Sequence, residues 1–300
     1  MPSGETDYLA LFLESTRGYA RYLAYEVSHP HWGNYVYWLL GLSALVYALE
    51  LLVPWRREQP RLRRDFWLDG FYMFFNFFVF SLVGYAGASE VAVRAFRDAL
   101  AAIGIDNLVA VEVGSWAPWL QVLTLFVFRD FVHWHVHRLL HRVPWLWEFH
   151  KVHHSVVQMG FAAHLRFHWM ETVVYRTLEY VPLALIGFGI DDFLVAHLVA
   201  LGIGHLNHAN VRVPMGPLRY LLNHAEMHIW HHARDLPGGH RYGVNYGLSL
   251  SVWDWLFGTA CIPAGGRDLA LGFPGLEGFP RSFVGQAVHG FRGPRRAPSS

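Results

Sequence analysis

Long apolar runs broken by short charged loops dominate the first two thirds of the chain. Residues 1–33 mix apolar and polar positions, with Tyr19, Tyr22, Tyr25 and Trp32 suited to the headgroup level of a bilayer, and predict an interfacial lead-in. From Asn34 to Val53 the apolar run is long enough to cross a hydrocarbon core of roughly 30 Å. Pro54 ends it, and a loop carrying Arg56, Arg57, Arg61, Arg63 and Arg64 follows. By the positive-inside tendency that loop lies on the cytoplasmic side and the N-terminus outside. A second span runs from about Phe66 to Tyr85 and a third from Trp116 to about Phe131. Between them, 86–115 is interrupted by Glu90, Arg94, Arg97, Asp98, Asp106 and Glu112 and predicts an outer-side helix and loop. A hairpin then rises over Thr172 to Ile190, turns over Gly187 to Asp192, and descends over Phe193 to His208. Both arms are near the minimum spanning length and carry Arg176, Glu179 and His197, so the hairpin is tilted or only partly inserted.

The pattern predicts an all-α integral membrane protein with about four transmembrane helices and a cytoplasmic histidine-rich helical cap. Three regions result: 1–33 interfacial, 34–262 a membrane domain with its histidine boxes within 130–259, and 263–300 a Gly/Pro/Arg-rich tail. The final FRGPRRAPSS lacks a periodic apolar face and predicts a disordered or surface segment. NYGLSLSVWDWLFGT, by contrast, predicts a short apolar segment packed on the histidine-bearing helices.

Composition sharpens the membrane reading. Of 300 residues, 53% are hydrophobic and only 16% charged, against about 25% in a typical soluble protein. Mean hydropathy is +0.21. A formal net charge of +1 gives no basic field for nucleic acid. Cys261 is the only cysteine, which excludes an intramolecular disulfide framework and a cluster held by four cysteines of this chain. The N-terminal stretch starts acidic, without a basic n-region and a small-residue cleavage site, so no cleaved signal peptide is expected. GIGHLN at Gly202 sits inside an apolar helix and is not a phosphate cradle.

The candidate chemistry is imidazole. His137 and His141 stand four apart, and His150, His153 and His154 stand at i, i+3 and i+4. On helices each set shares one face. The same HxxHH spacing recurs at His228, His231 and His232. With 20 histidines in 300 residues, chance supplies only about 0.09 such boxes, so two of them with an HxxxH are a real signal. Neutral imidazole binds iron, zinc, copper or nickel, and eight box histidines exceed the four ligands of one tetrahedral zinc. The surplus implies two metals, or one metal with histidines supporting its ligands. Carboxylates near the boxes are few, namely Asp130, Glu148, Glu171, Glu226 and Asp254, unlike soluble di-iron bundles built on paired Glu.

HRLLHRVPWLWEFHKVHHS, LRFHWME, HANVRVPMGPL, HIWHH, NYG and WDWLFGT, in this order, resemble the fatty acid hydroxylase and sterol desaturase superfamily of membrane di-iron enzymes. The resemblance spans roughly Asp130 to Thr259. It implies an O2-dependent non-haem di-iron oxidoreductase that hydroxylates or desaturates a C–H bond of a membrane lipid, sterol, fatty acyl or related. It also implies two irons as cofactor, with His137, His141, His150, His153, His154, His228, His231 and His232 as ligands and His168 and His208 as further ones. The family's RxHPxE element matches Arg166, His168 and Glu171, with Trp169 in place of proline; its HSN-like element matches His208, Ala209 and Asn210. No haem or flavin domain is evident, so electrons are expected from a separate reductase and a cytochrome or ferredoxin-type carrier, and the lipid from the bilayer.

Other histidines favour structural roles. His164, His205 and His224 stand where the family usually has other residues, and a first coordination shell has limited room. His133 and His135 read as interfacial, Arg176 and Glu179 as a local ion pair, and His197 as a satisfied bundle histidine. Asp254 is an acceptor for a ligand's second N–H, or a helix-capping or tail-packing residue. Two rival functions remain open at this level. A zinc-dependent membrane hydrolase would use Glu171 or Glu226 as general base. A non-enzymatic membrane metal or haem carrier would need its histidines inside the spanning helices.

Overall fold

The computed structural model describes residues 7–80, 88–104, 113–186 and 190–291. These form helices in chain order: α1 (Tyr8–Ser28), α2 (Tyr35–Leu52), α3 (Phe66–Phe74), α4 (Ala88–Ala102), α5 (Pro118–Arg142), α6 (Pro144–His154), α7 (Trp169–Ile186), α8 (Ile190–His208), α9 (Ala225–His231), α10 (Val252–Leu256) and α11 (Phe283–Ala287). The fold is all-helical; β pairing among the described residues is limited to isolated bridges such as Pro54 with Val211. One described helix is long and apolar enough to cross a membrane, Tyr35–Leu52, with mean hydropathy 1.6. Phe66–Phe80 is a shorter apolar helix. The expected turn at Gly187 to Asp192 falls partly, and the end of the expected second span wholly, outside the described residues.

Local chemistry fixes the helix ends. Asp7 caps α1 by accepting from Leu9 N at 3.1 Å and Ala10 N at 2.9 Å, and Asn34 caps α2 through Val36 N at 3.0 Å. Pro118 and Pro144 occupy the first turns of α5 and α6, where a missing N–H costs nothing. Pro144 also forces the residue before it out of helical geometry: Val143 is extended at φ −90°, ψ 114°. That one-residue corner folds α6 back on α5 and brings the HxxxH face of one against the HxxHH face of the other.

α5 is the central helix, packing on α6, α7 and α8, while α8 also packs on α2 and α9. α1 lies against the amphipathic α4. Residues 155–165, just after α6, are stitched to the arginine-rich loop: Arg63 donates to Gln158 O at 3.0 Å and Gln59 to Met159 O at 2.8 Å. Asn210, just past α8, ties the same loop down, its carbonyl accepting from Trp55 N and its Oδ1 from Arg56 N, both at 2.9 Å.

The segment from Pro263 to Phe291 packs on the bundle. Tyr72 donates to Gln286 Oε1 at 2.9 Å, and Phe283 sits edge-on to Phe71 and Phe75. Phe291 stacks on Trp169. Of the expected disordered FRGPRRAPSS, 292–300 lie outside the described residues.

Candidate metal centre

Each HxxHH box splits between two neighbouring groups of ring nitrogens, and this crossing organises the site. The first group gathers His137 and His141 of α5, His150 and His154 of α6, and His231 of α9. The second gathers His153 of α6, His208 of α8, and His228 and His232 of α9 and its C-cap. Within each group the ligand atoms lie within 4.8 Å of one another, and every ring is largely or wholly buried. The i, i+4 pair of α6 therefore serves the first group and its i+3 histidine the second. In α9 the assignment is reversed. Sequence neighbours His153 and His154, and His231 and His232, hold the groups side by side; the His154 and His232 rings stack at 4.4 Å.

Backbone carbonyls set the tautomers. The Nδ1–H groups of His137, His141 and His231 donate to the carbonyls of Tyr246, Tyr242 and Val244 at 2.7, 3.0 and 2.8 Å. Those of His153 and His208 donate to the carbonyls of Arg166 and Gly204 at 3.1 and 2.7 Å. His150 Nδ1 donates to Glu171 Oε2 at 2.7 Å. A carbonyl can only accept, so each of these neutral rings carries its lone pair on Nε2. Those lone pairs then face each other: His137 Nε2 lies 3.1 Å from His150 Nε2, and His153 Nε2 lies 3.3 Å from His208 Nε2. Neither pair can hydrogen-bond in these tautomers. In addition, Nε2 of His141, His154 and His231 is buried without a partner. Unpaired buried acceptors each cost free energy, and a cation within each group satisfies them together. Burial holds the imidazoles of both HxxHH boxes and of His137 and His141 below their usual pKa, in the neutral form that metals bind. The residues fit metal ions.

The support beneath the rings explains the companion motifs. Arg166 and Glu171 each hold one α6 histidine, and Glu171 also accepts from His168 N at 3.0 Å. Buried Arg166 is pinned by Asp65 at 3.0 Å and by Asp69. The carbonyls of 242–246 come from a loop tied down by Asp254, which accepts from Tyr246 N and Gly247 N at 2.8 Å, Trp134 Nε1 at 3.0 Å and Thr259 Oγ1 at 2.6 Å. Asp130 anchors the next turn through Ser249 N at 3.0 Å and Trp253 Nε1 at 3.0 Å. Asp254 thus acts on a ring of the first group indirectly, by holding the Tyr246 carbonyl that accepts from His137. Gly243 has φ +124°, and a Cβ there would stand 3.1 Å from His141 Nδ1, so the loop can approach the ring only without a side chain.

Nine of the ten expected ligands come together; His168 does not. Its Nε2 donates to Ala287 O at 2.9 Å and its Nδ1 accepts from Met170 N at 3.0 Å, so both nitrogens are committed to backbone and the ring lies outside both groups. His164, His205 and His224 also lie outside. His205 Nε2 meets Ser43 Oγ and its Nδ1 meets His164 Nδ1, each at 3.1 Å, and His224 precedes α9 as its N-cap residue. His133 pairs with Glu179 at 2.8 Å and stacks on Tyr175, and Arg129 also pairs with Glu179 at 3.3 Å. The side chain of Arg176 is outside the described set. His197 meets Tyr35 OH at 3.0 Å. The loop carbonyls, and the anchoring role of Asp130, were missed from sequence: carbonyls belong to every residue type, and only the NYG and WDWLFGT strings mark where this loop lies.

An all-helical chain with two adjacent buried polyhistidine groups has the makings of a histidine-rich metal-binding protein. The chain belongs to the fatty acid hydroxylase family: the family's model matches residues 122–259, and a relative is similar over most of both chains. That relative, ornithine lipid hydroxylase OlsE of Rhizobium tropici, is 30% identical over 268 residues, covering 88% of this chain and 76% of that protein. Human (Homo sapiens) alkylglycerol monooxygenase is 32% identical over 147 residues, 48% of this chain and 31% of that protein. A cholesterol 25-hydroxylase-like protein of Danio rerio is 31% identical over 143 residues, 46% of this chain and 53% of that protein. No solved structure matches. The protein is a lipid hydroxylase of this family.

Proposed function

We propose that the two groups bind two iron ions and that the protein inserts one oxygen atom of O2 into a C–H bond of a polar membrane lipid. Support for the two-metal reading comes chiefly from the facing Nε2 lone pairs of His137 with His150 and of His153 with His208. The first group offers five nitrogens, one more than a tetrahedral zinc takes, which favours a metal of higher coordination number. Bound iron supplies O2 activation and the oxidation of an unactivated C–H bond; the chain's residues hold and insulate it. Glu171 and the carbonyls of Tyr242, Val244, Tyr246, Arg166 and Gly204 fix six of the nine rings, those of His137, His141, His150, His153, His208 and His231, so that Nε2 points inward. His208 completes the second group, and His168 instead braces the Ala287 turn.

The relatives' names narrow the substrate class. OlsE is an ornithine lipid hydroxylase, and the human relative an alkylglycerol monooxygenase. Both names describe lipids with a polar head, and an acyl or alkyl chain of such a lipid is the substrate proposed here. It enters laterally from the bilayer. α2, its neighbour α8, and α5, which packs on α8, present large exposed apolar side chains, Leu40, Leu45, Leu123 and Val199 among them, consistent with about four spans and a cytoplasmic histidine cap. The domain limits, 34–262 for the membrane unit between 1–33 and 263–300, belong to the same reading. Electrons come from a separate reductase and a cytochrome or ferredoxin-type carrier. The zinc-hydrolase rival needs a free carboxylate base, but Glu171 is committed to His150 and His168 N, and Glu226 to Arg212 at 2.8 Å.

The test is product analysis by mass spectrometry. Iron-loaded protein in lipid vesicles, given a reductant system and ¹⁸O2, is expected to yield a lipid carrying one ¹⁸O atom. Stoichiometric zinc with product formed anaerobically would overturn the proposal.

A further inference from the structure

A positively rimmed depression of about 370 Å³ opens directly behind α6, on the side of the arginine-rich loop. Its floor includes Ser155 and Arg166, both buried, and its rim carries Arg64, Arg234 and Arg281, all exposed. Arg166 is neutralised by Asp65 and Asp69, and Arg234 by Glu277 at 3.3 Å. Among the described residues, Arg64 and Arg281 have no ion-pair partner, so the rim carries excess positive charge.

What lies beneath gives the depression its meaning. The Arg166 carbonyl is the acceptor for His153 Nδ1, so the floor is one hydrogen bond from a ring of the second group. Ser155 directly follows His154, a ring of the first. Both groups therefore connect to this surface, the second through one hydrogen bond and the first through one peptide bond. Arg64 itself is fixed to the same segment, its N–H donating to Gln158 Oε1 at 3.0 Å.

We propose that this depression is the docking surface for an acidic one-electron carrier protein. The proposal rests on the hydroxylase reading, which sets the electron demand. Oxidation of R–H by O2 to R–OH and water consumes two electrons and two protons; the carrier is oxidised twice per turnover, one atom of O2 is reduced to water, and the protons come from solvent. Charge complementarity selects the partner: an anionic surface is steered to the arginine rim and held over Arg166.

The test measures binding, not turnover. Detergent-solubilised full-length protein is titrated with a plant-type [2Fe–2S] ferredoxin, used as the acidic carrier probe, at several salt concentrations. The parent protein is expected to bind at low salt and to weaken as salt rises. The double variant Arg64→Glu/Arg281→Glu is expected to raise Kd about tenfold or more and to flatten that salt dependence, because rim charges act mainly on the association rate. Arg64→Lys/Arg281→Lys keeps the charge and is expected to bind like the parent, as is the reversal Arg17→Glu on α1. Three results would overturn the proposal: no binding by the parent, equal binding by the double reversal, or, in a parallel titration with phosphatidylglycerol vesicles, a loss by the double reversal seen with vesicles and not with ferredoxin, which would mark a lipid-headgroup surface. Since binding is read without turnover, its failure leaves the ¹⁸O2 result standing, and a failed ¹⁸O2 experiment leaves the docking result readable.

Discussion

Glu171 illustrates how a single side chain conditions a metal group it does not itself join. Its two oxygens fix His150 Nδ1 and the His168 N–H, and burial pushes its carboxyl up to about 7 against the opposing pull of His153 and the His168 N–H. Glu171→Gln keeps the shape but replaces a charged acceptor with a neutral amide. Metal affinity is expected to fall about 10- to 100-fold, the usual cost of losing a ligand's outer partner, and a competitive chelator titration measures it. Gly243 makes a complementary case. Gly243→Ala places a methyl group at φ +124° against His141, so metal retention by the first group is expected to drop, whereas Gly238→Ala, at a position with open space, is expected to have no effect. The same chelator assay compares them. His168 carries the opposite lesson. Its place in a matching motif suggested a ligand, yet two backbone partners already occupy its nitrogens, a fact that the string RFHWME cannot encode.

Among the elements, the corner at Val143 and the loop 242–246 do most to shape the site. Pro144 marks the corner in the sequence, since proline ends one helix and opens the next, but the histidine spacing alone did not announce it. Helical spacing revealed which histidines share a face. What spacing could not reveal is that each HxxHH box divides between two groups, since i, i+3 and i+4 look like one face until the partner helices are in place. The loop was legible only as a motif: its contribution is carbonyl oxygens, held by Asp254. Asp254 is buried and accepts four hydrogen bonds, so Asp254→Ala strands buried donors and is expected to cost about 3 kcal/mol or more. A lowered thermal unfolding midpoint in detergent checks this, and a midpoint within about a degree of the parent's would deny the loop its anchoring role.

For the whole molecule, helix content followed from hydrophobic pattern, whereas membrane crossings follow from it less directly. Among the described residues only Tyr35–Leu52 has the length and apolarity of a span on its own; α5 and α8 spend positions on the site, α5 carrying Arg129, Asp130 and its box histidines and α8 ending in His205 and His208. The proposed topology puts the arginine-rich loop and the histidine cap on one side. Cys261→Ser removes the native thiol; single cysteines at Arg61 and Asp235, both exposed, are then expected to react with an impermeant maleimide from the same face of sealed vesicles. Labelling from opposite faces would refute that arrangement. The central claim is that two adjacent groups, fed reciprocally by two boxes, each hold one iron. Iron per chain, measured on anaerobically reconstituted parent protein and on His228→Ala/His232→Ala, tests it most directly. The account predicts about two irons in the parent and about one in the variant, which retains all five ligands of the first group. A parent saturating at a single iron, or a variant that still binds two, would contradict it.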